Sequence, residues 1–180
     1  MLEFNPPEKF ISERLFLRRL IMSDMNHVFE FAGNDMNTRY VAWPTHRNIN
    51  DSKSFLDYSI KSFDEKKEFS YGILIQETEE FIGWIGMKCT EPQVFYIGYF
   101  LDHKYWNCGY TTEAAKCLFN WLLNEVCILR IESACHIENI ASAKVLEKVG
   151  LKIVKKMKAE HPFPNLKSSN TDAFIFEYVK

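Results

Sequence analysis

Apolar and polar residues alternate along Ile11–Leu20, with Leu15 and Leu17 on one side and Arg14 and Arg18 on the other, which predicts a half-buried strand. The runs Phe69–Gln76 and Phe81–Cys89, separated at Thr78-Glu79-Glu80, read as a hairpin. Gly83 and Gly86 inside its second arm imply a bulge or a close neighbour. Val94–Leu101 is an unbroken apolar run and predicts a buried strand; Leu129–His136, Leu151–Met157 and Thr171–Val179 supply three more. Helical spacing takes over elsewhere. Ser23 or Asp24 caps a short helix that stops near Gly33, and Asn50 or Asp51 opens a second with Phe55, Leu56, Ile60 and Phe63 on one side. Ala114, Ala115, Leu118, Trp121 and Leu122 mark a third. In a fourth, Val145, Leu146 and Val149 form the inward stripe between Asn139 as N-cap and Gly150 as the residue past the end. Strands outnumber helices in mixed order. The expected fold is α/β (α+β): a mixed, mostly antiparallel central sheet of about seven strands flanked by about four helices, not a doubly wound parallel sheet. No repeat or linker interrupts the pattern, so residues 1–180 are expected to form a single domain.

Composition narrows the function classes. A 47% hydrophobic fraction over 180 residues is enough for a packed core and speaks against a disordered chain. A net charge of −2 speaks against a generic binder of nucleic acid or anionic membrane, and no run of about 18 apolar residues suggests a span. The opening MLEFNPPEKF lacks a secretory pattern, and five scattered cysteines with no C-x-x-C pair suit a reducing cytoplasm. No metal site is expected.

The candidate chemistry lies in His103–Asn124. A buried strand, a turn at Trp106-Asn107-Cys108-Gly109-Tyr110-Thr111 and a helix start follow one another, an arrangement that points backbone N–H groups at an anion. Thr111 and Thr112 either cap that helix or lend hydroxyls to the anion; equally, Gly109 merely makes a turn. Ser142 lies three, four and seven residues before Val145, Leu146 and Val149, so it falls on the buried face as a core serine or as a group touching a ligand. Trp43 and His46, in the irregular stretch 39–50, either line a substrate mouth or pin the loop to the core.

Together, Ile97-Gly98-Tyr99-Phe100-Leu101, Tyr105-Trp106-Asn107-Cys108-Gly109-Tyr110-Thr111-Thr112-Glu113-Ala114, Arg130-Ile131, Asn139, Ser142 and Val145-Leu146-Glu147-Lys148-Val149-Gly150-Leu151 resemble the Gcn5-related N-acetyltransferase family. The similarity is to the branch of the ribosomal-protein alanine acetyltransferases, and Glu13–Leu20 is similar to its first strand. The resemblance implies the acyl-CoA N-acyltransferase fold, splayed between the fourth predicted strand, Val94–Leu101, and the fifth, Leu129–His136. It implies acetyl-CoA as co-substrate, with the pantetheine arm and thioester on Phe100 and Leu101. The pyrophosphate would lie on Asn107, Cys108, Gly109, Tyr110, Thr111 and Thr112. Asn139 would bond the arm, and Lys144 or Lys148 would face the adenosine phosphates. The implied reaction is direct attack of a neutral amine on the thioester, with Ser142 as acid and Glu160 as base; Tyr96 and Tyr99 are further site-facing candidates. The acceptor is a protein N-terminus or a small-molecule amine, and a homodimer is left open. Asn107 and Thr111 stand where the branch carries Gly and Ala. Asn tolerates positive φ, so the turn is expected to form. A non-catalytic acyl-CoA-binding regulator on the same fold is the alternative.

Overall fold

The computed structural model describes residues 5–158, 162–166 and 171–180. Its strands are β1 (Lys9–Ile11), β2 (Leu15–Arg19), β3 (Glu68–Ile75), β4 (Phe81–Glu91), β5 (Val94–Leu101), β6 (Arg130–His136), β7 (Lys152–Met157) and β8 (Ala173–Val179). The α-helices are α1 (Met25–Ala32), α2 (Asp35–Thr38), α3 (Ile49–Asp64), α4 (Tyr110–Glu125) and α5 (Ile140–Val149). The strands form a sheet in the order β1-β2-β3-β4-β5-β6-β8-β7, antiparallel except for the parallel β5–β6 pair. The mixed, mostly antiparallel α/β architecture is the expected one. Beyond end shifts of a few residues and the unexpected short helix α2, two differences stand out. The single strand expected over Ile11–Leu20 folds back at Ser12, whose amide donates to the Leu15 carbonyl at 2.9 Å, so a short hairpin replaces it and the sheet gains a strand. The helix expected from Asn50 or Asp51 starts earlier: Asn48 is its N-cap, accepting from the Asn50 amide, while Asp51 reaches back to the Asn48 amide as the third residue of a capping box.

Two apolar clusters cover the sheet. On one face Leu15, Tyr71, Ile85, Phe95 and Ile97 meet Ala114, Leu118 and Leu122 of α4 and Leu146 of α5. On the other, Trp84 and Phe100 pack with Val28 and Phe31 of α1 and Leu56 of α3. Each fully buried Val, Leu, Ile or Phe side chain among them contributes about 1.5–3 kcal/mol. Gly83 answers the close-neighbour expectation: a Cβ there would lie 2.2 Å from the Phe100 carbonyl oxygen, so glycine is what lets β4 and the end of β5 approach. No helix of the described residues is long and apolar enough to cross a membrane.

The feature that makes a site is the parting of β5 from β6. The strands pair only at Val94–Tyr96 with Arg130–Glu132, after which β5 continues to Leu101 against β4 and β6 continues to His136 against β8. At the fork the buried Ser133 hydroxyl donates to the Ile97 carbonyl at 2.8 Å, standing in for a ladder bond.

Candidate active site

Beyond Leu101 the chain makes a single 3₁₀ turn, His103–Tyr105, and reaches Gly109, the N-cap of α4. The Trp106 indole N–H donates back to the Leu101 carbonyl at 2.9 Å and ties the turn to the end of β5. Asn107 and Gly109 are both left-handed, with φ of 63° and 83°. Asn107 thus takes the conformation expected of it. The threonine cap does not form: the N-cap is Gly109 with no side-chain bond, because Thr111 and Thr112 already lie inside the first turn. The first helical amides, Tyr110 to Thr112, are therefore left for a ligand, and Glu113 is the residue whose amide returns to the Gly109 carbonyl, at 3.1 Å.

This turn rests on a clamp. Glu113 accepts from the Ser12 hydroxyl, the Arg14 amide and the Arg14 Nε, each at 2.8 Å. Arg14 Nη1 donates to the Cys108 carbonyl at 3.1 Å, and the guanidinium lies over the Tyr110 ring at 4.6 Å. Burial works to raise the Glu113 carboxyl, but the bonds from the Arg14 amide, the Ser12 hydroxyl and the Arg14 guanidinium together hold it below its ordinary value. Glu113 thus sits ionised beside the open amides of the turn with its charge already matched. Sequence reasoning placed Arg14 as an outward strand residue; its role depends on the Ser12–Leu15 fold-back, which alternation does not reveal.

The turn opens into a cleft of about 950 Å³, within the range of small-ligand sites. Phe100, Leu101, Asn107, Gly109, Tyr110, Thr111, Thr112, Asn139 and Ser142 all line it, as do Lys144 and Lys148. Cys108 does not line the cleft: it is exposed in the same turn, and its carbonyl accepts from Arg14 behind the turn. Glu160 lies outside the described residues. Asn139 is the N-cap of α5, its Oδ1 accepting from the Ser142 amide at 3.2 Å.

Ser142 departs from the expected burial. The deeply buried positions of α5 are Ala143, Leu146 and Val149, whereas Ser142 is half-buried because the strands beneath the first turn of α5 have parted. Its hydroxyl lies 2.9 Å from the Tyr99 hydroxyl, which also donates to the Ser142 carbonyl at 3.0 Å. With that phenol proton committed, Ser142 Oγ–H is the donor of the pair. Burial pushes the Tyr99 phenol well above its ordinary value, partly offset by the Ser142 bond, and likewise pushes the Cys135 thiol up to about 11. At neutral pH the Ser142–Tyr99–Cys135 group carries protons and no charge. Tyr96 is also held protonated, by burial first.

Across the cleft, Trp43 serves both readings left open for it: it lines the cleft, and it packs on Trp84 and Phe100 with ring centroids 5.5 and 5.3 Å away. His46 stands behind it, Nδ1 2.8 Å from the Ser52 hydroxyl, and burial lowers its pKa.

The acetyltransferase (GNAT) domain family matches residues 14–152. The uncharacterized N-acetyltransferase YoaA of Bacillus subtilis (strain 168) is 26% identical over 141 residues, covering 77% of this chain and 80% of the relative. RimL, the ribosomal L7/L12 alpha-N-protein acetyltransferase, solved with coenzyme A, superposes with a TM-score of 0.83 at 20% identity, covering 94% of this chain and 96% of its own. The microcin C7 self-immunity acetyltransferase MccE, solved with acetyl-CoA and AMP, gives 0.85 at 19% identity over 98% of both chains. The parted strands, the open start of α4 and the extent of the family match agree: the chain belongs to the GNAT acetyltransferase family, as an N-acetyltransferase of the acyl-CoA N-acyltransferase fold with acetyl-CoA as its co-substrate.

Proposed function

We propose that this N-acetyltransferase acetylates a primary amine, on a protein N-terminus or a small molecule, within a single domain spanning residues 1–180. The observation that carries the reading is the uncapped start of α4 at Gly109 opening into the same cleft as the parted ends of β5 and β6. Amides of Asn107 to Thr112 would cradle the pyrophosphate, using the unpaired N–H groups and positive end of α4. The backbone of Leu101, on the side of β5 that β6 has left, would pair with the pantetheine arm; Phe100, whose carbonyl faces β4, would line the arm with its side chain, and Asn139 would offer it the amide nitrogen left over from capping. Holding the thioester there gives the orientation that amine attack needs.

Ser142 would supply the proton to the departing sulfur, with Tyr99 positioning its hydroxyl and taking part in reprotonating it. Both hydroxyls are protonated at neutral pH, as an acid must be. Glu160 is assigned the amine proton on the family resemblance. RimL acts, by its name, on the N-terminus of a ribosomal protein, which supports a protein N-terminus as acceptor. The exposed free thiols of Cys89, Cys108 and Cys127 favour a reducing cytoplasm as the place of work, which cell fractionation would check.

Release of free thiol from acetyl-CoA in the presence of amines tests the roles. Ser142→Ala is expected to lower kcat on the order of 100-fold with acetyl-CoA affinity kept, and Tyr99→Phe to lower it less. Glu160→Gln should lower kcat at neutral pH, where the carboxylate is ionised, and approach the wild type at low pH, where a base is protonated. Wild-type turnover in Ser142→Ala would remove Ser142 from the chemistry.

A further inference from the structure

One wall of the cleft is built from rings. Trp43 lies outside any helix or strand, half-buried, against Phe100 and Trp84, and Phe55 of α3 meets Trp84 at 4.8 Å. All four line the cleft, extending from the end of β5 that would hold the thioester. The loop carrying Trp43 is fastened by one residue from the far end of the chain. Asn165 Nδ2 donates to the carbonyls of Thr38 and Trp43, both at 2.8 Å. Its Oδ1 accepts from the Thr45 amide at 2.9 Å and the Thr45 hydroxyl at 3.0 Å. Both donors and two acceptor sites of the amide are thus used. Such bonding offsets the entropy of ordering an irregular loop, and its result is a fixed indole face beside the reacting end of the cleft.

The charges lining the same cleft point away from a polycation. Among the described residues its carboxylates are Glu68 and Glu138, and each already accepts from a tyrosine hydroxyl: Tyr58 at 3.1 Å and Tyr40 at 3.3 Å. Arg39 and Lys88 offset them in number, with Lys144 and Lys148 left to the adenosine phosphates. A polyamine or an amino sugar carries several ammonium groups and needs converging carboxylates, whereas a single amine beside a flat apolar group needs an aromatic surface.

We propose that the acceptor is a primary amine joined by a short chain to an aromatic group that seats on the Trp43 face. The inference rests on the N-acetyltransferase reading above. The amine nitrogen forms the new amide bond to the acetyl carbon as the thioester C–S bond breaks. One amine proton is lost to base, and the sulfur leaves as the CoA thiol. Two sources share this chemistry, a free arylalkylamine and a peptide whose first residue is aromatic.

Thiol release by the full chain at saturating acetyl-CoA would be compared for tryptamine, phenethylamine, a peptide beginning with Phe, one beginning with Ser, spermidine and kanamycin. At least one aromatic acceptor is expected to exceed spermidine, kanamycin and the Ser peptide by about tenfold or more in kcat/KM. Whether the amines or the Phe peptide lead identifies the source. Trp43→Ala should erase that preference while the melting shift with acetyl-CoA stays, and Trp43→Phe should keep most of it. Asn165→Ala should raise KM for the aromatic acceptor several-fold with the acetyl-CoA shift unchanged, a split that a general loss of stability would not produce. If Trp43→Ala does not melt cooperatively, the other two variants decide. A preference for spermidine, kanamycin or the Ser peptide, no turnover of any aromatic acceptor, or an undiminished preference in the variants would overturn the proposal. Absence of any acetyl-CoA shift in the wild type would instead remove the acetyltransferase reading beneath it.

Discussion

At the scale of single residues, small side chains shape the site as much as reactive ones do. Gly83 leaves room for the Phe100 carbonyl, and the end of β5 is where the thioester is proposed to lie. Gly83→Ala would place a methyl 2.2 Å from that oxygen, and since the opposing atom is backbone, the strand itself must move. The expected cost is about 1–3 kcal/mol in urea unfolding, with weaker acetyl-CoA binding in the folded fraction. Stability and affinity equal to the wild type would show that β5 tolerates the shift. Ser142 shows the limit of periodicity in reading such positions. Its spacing from Leu146 and Val149 assigns it to the inner face, yet a face is buried only where something covers it, and the parted strands leave that turn open to the cleft.

At the scale of elements, the β1–β2 fold-back and the start of α4 behave as one unit. Ser12 and Arg14 hold Glu113, and Arg14 also holds the Cys108 carbonyl, so the turn is braced from behind while its amides face the cleft. The carboxyl of Glu113 is depressed in the fold, so its stabilisation is present above its ordinary value of 4.5 and is lost as pH falls through the lower folded value. Glu113→Gln should therefore melt below the wild type at about pH 7, and the gap should narrow as the pH falls below 4.5 towards the lower folded value. A gap that stays constant across that range would mean that the carboxylate charge contributes nothing. The strand–turn–helix order around Gly109 was readable from residue types, because glycine, an apolar run and helical spacing each have a local cause. The clamp and the Asn165 fastening were not. They join residues about 100 and 120 positions apart, and nothing in the local pattern of Ser12, Arg14 or Asn165 marks their partners.

At the scale of the whole molecule, the parallel pair of the sheet creates the site. β5 and β6 run side by side for three residues and then part, and α4 and α5 start on either side of the gap. The family pattern implied this splay, and the pairing register locates its fork after Tyr96. Composition supplied only exclusions here, because a net charge of −2 describes the whole surface while the cleft itself is lined by more cations than carboxylates. The central claim, that the turn from Asn107 to Thr112 seats acetyl-CoA, is tested most directly by thermal unfolding with rising acetyl-CoA, beside CoA and NAD. A ligand at 100 times its Kd adds about 2.7 kcal/mol. For a chain of this length that is a rise of roughly 5–11 °C. The account predicts such a rise with acetyl-CoA and CoA and none with NAD. An unchanged midpoint at millimolar acetyl-CoA would contradict it.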